Sequence, residues 1–151
     1  MSSPPIDKWQ ASLHLFLIAE PTVVAYLGTT QGGPSIFHFA PVPEFADWPV
    51  AIIDPPFSVM PLPDKDGKLW EIVQDIRFVQ RSSVDEDGRY AVEDLISAAS
   101  TAVSRLDRGS LDSFDGGAWR VVAMSASGPV GADDEETYTR VVQLTALVEE
   151  A

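Results

Sequence analysis

Five residues between positions 83 and 94 have spacings that could bind calcium. A twelve-residue calcium loop needs several oxygen ligands, a glycine where the backbone turns, and a bidentate glutamate at its end. The chain offers a shorter aspartate at that last position, and the element before the loop is a predicted strand. Aspartate and glycine also form turns, and a serine or aspartate at positions 83 or 85 can cap a following helix, so the pattern favours capping over calcium. The residues at loop positions one, three, five, six and twelve are Ser83, Asp85, Asp87, Gly88 and Asp94.

A second Asp-x-Asp-Gly motif, at residues 64–67, lacks calcium ligands at both ends. Leu62 would occupy the first position and Val73 the twelfth, and neither side chain carries an oxygen. This motif therefore predicts a turn before a long strand.

The two histidines, His14 and His38, lie on a predicted helix and a predicted strand. A zinc site needs about four ligands, and this chain has no cysteine to add to them. The sequence therefore predicts a partly buried helix residue and a sheet residue, with no metal site.

Motifs for nucleophilic or phosphate chemistry are absent from the sequence. No serine lies in a Gly-x-Ser-x-Gly turn, and the glycines of residues 28–33 lack the Lys-Ser/Thr ending of a phosphate loop. Glu93 and Asp94 are adjacent on a predicted helix, so they diverge and cannot cooperate as acid and base. We predict no catalytic residue, no cofactor and no enzyme activity.

The segment from Lys68 to Leu106 predicts a helix packed over a sheet. Its first part alternates apolar and charged residues, the period of a strand with one buried face. Its second part repeats apolar residues every three or four positions, the period of an amphipathic helix. The apolar strand face contains Trp70, Ile72, Ile76 and Phe78, the charged face Glu71, Asp75, Arg77 and Arg81, and the helix stripe Val92, Leu95, Ile96, Ala99, Ala102, Val103 and Leu106.

The remaining elements complete an α+β domain that spans residues 1–151. A first helix is predicted from Pro4 or Pro5 to about Ala19, where Pro21 ends it. We expect an α+β fold with a mixed or antiparallel sheet and two main helices packed on it. The other predictions are a short turn-rich piece at 22–27, a loop at 28–33, strands at 36–39, 48–54 and 119–125, a long loop at 54–67, a polar loop at 128–136 and a final strand from Tyr138 to Val148 that pairs with 119–125 as a hairpin.

The composition indicates an acidic intracellular protein. Ten basic and 23 acidic residues give a formal net charge of −13, which repels the phosphate backbone of nucleic acids. The absence of cysteine suits a reducing compartment. No apolar run reaches the 18 or more residues of a membrane span, and the N-terminus lacks the basic region of a signal peptide. We therefore expect a soluble protein that neither grips DNA nor enters a membrane.

Two features are candidates for contacts with other proteins. The acidic cluster Asp133 to Glu136 is either a disordered loop tip or an arm that becomes ordered on assembly. Trp48 lies in a proline-rich segment and could anchor an interface, whereas the other three tryptophans are expected to serve the core.

The order of these elements resembles the tail terminator (tail completion) family of long-tailed bacteriophages and gene transfer agents over nearly the full length. The proline-rich middle and the loop at 54–67 depart from the pattern of that family. The pattern is carried by the Leu27-Gly28 step that follows the first helix, the segment Asp47-Trp48-Pro49-Val50-Ala51-Ile52, the long strand Ile72 to Arg81, the helix start Tyr90-Ala91, and the strands Trp119-Arg-Val-Val and Tyr138-Thr-Arg-Val-Val.

The resemblance implies a structural virion protein without cofactors. Proteins of this family form homohexameric rings that cap the finished tail tube, stop its polymerisation and join it to the head connector, and the DNA passes through the lumen. The implied partners are other copies of the chain, the major tail tube protein and the head-closure or neck connector protein. The implied location is the head-proximal end of the tail, reached from the host cytoplasm. The expected interface residues are Trp48, Asp64, Lys65, Asp66, Asp133, Asp134, Glu135 and Glu136.

Two alternatives remain open from the sequence. Another neck protein, such as a head-closure ring, has a similar size and acidity. A small cellular α+β enzyme or ligand-binding domain would require a deep pocket and a stable monomer.

Overall fold

The computed structural model describes residues 3–38, 42–63, 68–81, 86–106, 111–131 and 137–151, with the backbone alone at 86–94. Within these ranges the chain forms three helices and nine strands. In chain order they are α1 (Ile6–Ile18), α2 (Pro21–Val24), β1 (Thr29–Thr30), β2 (Gly33–Pro34), β3 (Ile36–His38), β4 (Val50–Ile53), β5 (Ser58–Pro61), β6 (Leu69–Arg81), α3 (Glu86–Ser104), β7 (Ser113–Phe114), β8 (Trp119–Gly131) and β9 (Thr137–Glu150).

Seven of these strands form one mixed sheet in the order β3-β4-β6-β9-β8-β7, with β5 also paired to β6. The strands β3 and β4 are parallel, and the other pairs are antiparallel. The centre is the pairing of β6 with β9, which runs without a break from Leu69↔Glu149 to Arg81↔Thr137. The predicted α+β class with a mixed sheet is confirmed.

One side of the sheet, which we call the covered face, packs against the helices. On β6 it contains the predicted apolar residues Ile72, Ile76 and Phe78, all buried. Full burial of one such side chain contributes about 1.5–3 kcal/mol, so this face stabilises the fold. The helix residues buried against it are Trp9, Leu13, Phe16 and Leu17 of α1, Val23 of α2, and Ile96, Ala99 and Val103 of α3.

The first helix begins and ends where the sequence predicts, whereas α3 begins at Glu86, before the predicted start at Tyr90-Ala91. Pro5 precedes α1, and its carbonyl accepts the Trp9 amide at 3.0 Å in the first turn. Pro21 begins the separate helix α2, because proline is compatible with a first helical turn but not with a helix interior. The proposed cap of α3 and all five residues of the calcium register lie outside the described side chains. Within the described ranges no helix is long and apolar enough to cross a membrane.

A buried amide joins α1 to the strands. Gln74 of β6 is fully buried, and its Oε1 accepts the indole N–H of Trp9 at 3.3 Å. The Gln74 Nε2 group donates to the carbonyls of Asp54 and Asp75, and Gln10 Nε2 donates to the same Asp54 carbonyl at 3.0 Å. Buried polar groups are costly unless they are hydrogen-bonded, and these bonds satisfy the amide while fixing the chain between β4 and β5.

Three predicted loops contain strand structure. The segment 54–67 includes β5, whose residues pair with β6 from Ser58↔Val73 to Pro61↔Trp70. The segment 28–33 contributes to the short hairpin of β1 and β2. The strand predicted at 119–125 continues to Gly131, so Gly128 to Gly131 belong to β8 and not to the polar loop. In each case backbone pairing overrides the turn preference of proline and glycine.

Candidate functional site

Of the predicted interface residues, Trp48 lies within the described part of the chain. Its ring is half-buried against the cluster formed by Val50, Ile52 and Val79. The Arg81 guanidinium lies 4.8 Å from the centre of the indole ring. Trp48 thus packs against its own sheet. Its role in an interface with another protein remains a prediction. The other predicted residues, Asp64, Lys65, Asp66, Asp133, Asp134, Glu135 and Glu136, lie outside the described residues.

Close backbone packing explains why a glycine follows Leu27 at position 28. The Gly28 amide donates to the carbonyl of Pro49 at 2.8 Å. A Cβ atom at Gly28 would overlap the carbonyl group of Asp47, which is backbone and cannot turn aside. Glycine therefore permits residues 28–30 to lie directly against the Trp48 segment.

In the described ranges, no buried helix residue packs on the side of the sheet opposite the covered face. We call the central part of this side the open face. Residues paired across antiparallel strands point to the same side, so the register defines this surface. It is composed of Ser58 and Met60 of β5, Glu71, Val73 and Asp75 of β6, Gln143, Thr145 and Leu147 of β9, and Ala123, Ser125 and Ser127 of β8.

Charged groups at the two ends of the open face are paired. Arg77 forms two hydrogen bonds to the Asp54 carboxylate, at 2.6 and 2.8 Å, and this contact raises the pKa of Arg77. Arg120 forms an ion pair with Glu149 at the other end. The charges at these margins are thus largely neutralised within the chain.

A shallow depression of about 210 Å³ lies near the centre of the open face. Ligand pockets usually have volumes of about 300–1,000 Å³ and enclose most of the ligand, so this feature suits contact with a protruding side chain. Among the described residues, Glu71 has no hydrogen-bond or ion-pair partner there, whereas the nearby Asp75 accepts a hydrogen bond from Gln143 Nε2 at 3.1 Å. The lining residues are Glu71, Ala123, Met124, Ser125, Thr145 and Leu147.

A second concave surface lies between α1 and β3 and contains both histidines. Nδ1 of His14 lies 2.8 Å from Nε2 of His38, and the two rings are nearly parallel. Burial lowers the pKa of both imidazoles, and the nearby His38 lowers that of His14 further. One neutral imidazole donates to the other, and protonation of both would place like charges in contact.

The sequence did not predict this contact, because the two histidines are 24 residues apart and lie on different elements. The periodicity of each element indicates a face but not which faces meet. Among the described residues no group of three or more His, Cys, Asp or Glu side chains could hold a metal ion. The open groove has a volume of about 570 Å³ and is lined by Asp7, Gln10, Ala11, His14, Leu15 and His38.

The solvent side of α1 is apolar beyond its charged first turn. Lys8, Ala11, Leu15 and Ile18 are all exposed and recur at spacings of three or four, so they form one line on the helix, which we call the α1 stripe. Leu15 is 67% exposed and Ile18 is 40% exposed. Lys8 has no hydrogen-bond or ion-pair partner in the described ranges, and the exposed Asp7 lies beside it in the first turn of α1.

The sheet edges are poorly suited to strand addition. The strand β3 has three residues, and β7 pairs with β8 at Arg120 and Trp119 alone. The remainder of β8 has register shifts at 121–123 and 127–130, and Pro129 lacks an amide hydrogen. Bulges, prolines and short strands are the usual means of preventing edge pairing, so contacts between molecules should use faces.

Comparison with known proteins reveals similarity in fold. No protein-family model matches the chain, and no curated protein matches it. A solved structure described as "Virion of native gene transfer agent (GTA) particle" contains a chain with the same fold. The TM-score is 0.69 at 19% sequence identity, and the match covers 95% of this chain and 96% of the other. The fold of this chain is therefore that of a chain in a gene transfer agent particle.

Proposed function

We propose that this chain is a non-enzymatic structural protein of a virion or gene transfer agent, and that it forms a ring that caps the finished tail tube. The observation that carries the proposal is the fold likeness, because it extends over nearly the full length of both matched chains. The order of elements that resembles the tail terminator family supports the finer assignment to the end of the tail.

The electrostatic character of the chain supports a position around passing DNA. A net charge of −13 disfavours binding to phosphates, and a negatively lined lumen would let DNA move without adhering. The proposed particle location is the head-proximal end of the tail, reached after assembly in the host cytoplasm.

The proposed partners are further copies of the chain in a homohexamer, the major tail tube protein and the head-closure or neck connector protein. Ring formation needs two different surfaces on each subunit, because in a head-to-tail contact one surface of each copy binds the other surface of the next. The segments 54–67 and 128–136, together with Trp48, remain our candidates for contacts with the tube and the connector.

Electron microscopy of the purified chain mixed with short tail tubes tests this function. We expect sixfold rings at one end of each tube and an arrest of tube growth, measured as a fixed tube length. A protein that leaves the tubes bare and growing at all concentrations contradicts the proposal. Rings that bind isolated portal or connector complexes and ignore tubes would instead support a head-closure ring.

A further inference from the structure

We propose that the α1 stripe of one subunit docks on the open face of the next copy, and that this is the repeating contact of the ring. The inference rests on the proposed ring function and identifies the two surfaces that such a ring requires. It assigns the depression lined by Ser125 and Thr145 to the receiving side and Leu15 to the inserted side.

The open face is suited to meeting another copy because nine of its eleven side chains are uncharged, the exceptions being Glu71 and Asp75. Any two copies of the chain carry −13 each, so contact between charged surfaces would be repulsive. On the open face and its margins, Asp54 is paired with Arg77 and Glu149 with Arg120. The centre between these pairs contains mainly small, aliphatic and hydroxyl side chains, which another subunit can cover without desolvating many charges.

The α1 stripe matches this surface in shape and charge. Leu15 is 67% exposed and projects from a convex helix, whereas the open face offers a shallow depression of about 210 Å³. Lys8 on the stripe and Glu71 in the depression are opposite charges, and neither has a partner among the described residues. Contact between the surfaces would cover the apolar side chains and pair these two charges.

The two surfaces belong to different elements of the same subunit, as a closing ring requires. The stripe is on the outer side of α1, and α1 packs on the covered face of the sheet. The open face is on the opposite side of that sheet. Each copy therefore presents its stripe to one neighbour and its open face to the other, so the contact is head-to-tail.

Two single variants, mixed with each other, test the contact. Leu15→Asp places a charge in the stripe, and Ser125→Glu places a second carboxylate beside Glu71 in the depression. Both positions are exposed, so both variants should fold, which thermal melting verifies. We expect each variant alone to need at least about 100-fold more protein than the wild type to form rings, measured by analytical ultracentrifugation with and without tail tubes.

Mixing the variants distinguishes this contact from other modes of assembly. Leu15→Asp retains an intact open face, and Ser125→Glu retains an intact stripe, so an equimolar mixture should give 1:1 heterodimers and no rings. Leu95→Asp is the matched control, because Leu95 is an exposed leucine on α3 outside both surfaces, and its rings should be unchanged. Rings of normal stability from either test variant, or a mixture without heterodimers, overturn the proposal.

A charge reversal provides a second test. Lys8→Glu and Glu71→Lys should each weaken ring formation about three- to tenfold, and the double variant should recover most of the loss. If the losses of the two single variants simply add up in the double variant, the two residues do not meet.

The outcomes separate this inference from the proposed function. If wild-type rings cap tubes and all the variants form the same rings, the docking contact is wrong and the function stands. If the wild type neither assembles nor binds tubes, both proposals fail together. If the variants lose rings but still bind tube ends as single subunits, the contact holds and tube binding is shown to use other residues.

Discussion

The two sides of the sheet share one backbone. They differ in what covers or pairs their side chains. On β6, Ile72 and Ile76 are fully buried on the covered face, whereas Val73 and Asp75 between them are half-buried on the open face. The covered face gains stability from apolar contact with helices. The open face pairs Arg77 with Asp54 and Arg120 with Glu149 at its ends, and most side chains at its centre are uncharged, apart from Glu71 and Asp75.

This difference separates folding from assembly. A side chain on the covered face lowers the free energy of the single chain, because its burial is complete without a partner. A side chain on the open face contributes little to the single chain, and its burial would be completed by another molecule. Substitutions on neighbouring residues of one strand should therefore act on different equilibria.

The largest expected effect comes from truncating the covered face. Ile72→Ala should reduce the free energy of unfolding of the single chain by about 2–5 kcal/mol, because it leaves a cavity among fully buried residues. Val73→Ala, one residue along, should reduce it by less than about 1 kcal/mol and should weaken ring formation instead. Urea unfolding under monomeric conditions measures both. Equal losses would show that the open face is already a complete core in the single chain.

A second prediction concerns the corner of the sheet that the Trp48 segment covers. Gly28→Ala should destabilise the chain by about 1–3 kcal/mol, because the added Cβ must displace the Asp47 carbonyl. Gly33→Ala is the control, since its Cβ would meet no atom within 4 Å, and it should change stability by less than about 1 kcal/mol. Tryptophan fluorescence during urea unfolding reports both. A neutral Gly28→Ala would mean that the Trp48 segment moves away at little cost.

A third prediction compares two glutamines on the two faces. Gln74→Leu should cost about 1–3 kcal/mol, because it deprives the indole N–H of Trp9 of its buried acceptor. Gln143→Leu removes the half-exposed hydrogen bond to Asp75, which water can replace, and should cost less than about 1 kcal/mol. The comparison fails if both substitutions have the same effect on the urea midpoint.

The sequence predicted the central elements because their periodicity is undisturbed. In β6 the alternation of apolar and charged residues identified the covered face at Ile72, Ile76 and Phe78. The helix period likewise predicted the buried side of α3 at Ile96 and Val103. These elements follow local rules, so one sequence sufficed.

The sequence did not predict elements that depend on distant pairing. The sequence predicts a loop at β5 because Pro55 and Pro56 precede this strand and Pro61 ends it, yet β6 offers it a pairing edge. The end of β8 was missed because Gly128 and Pro129 favour turns. The choice of surfaces for assembly depends on which groups pair across strands, and that information is absent from a linear pattern.

The smallest expected effect is a pH dependence at the contact of His14 with His38. Both pKa values are lowered from the ordinary 6.5, so the unfolded chain binds more protons than the folded chain below that pH. Their contribution to stability is therefore complete above pH 6.5 and declines as the pH falls through the folded pKa values. His38→Gln removes one titrating group and keeps a hydrogen-bonding side chain, while Asp7 of the same groove remains in both proteins. Urea unfolding at pH 7.5, 6.5 and 5.5 should show a smaller loss for His38→Gln than for the wild type. Parallel pH profiles would mean that the two imidazoles separate at no cost, and that this part of the α1 surface does not respond to acid.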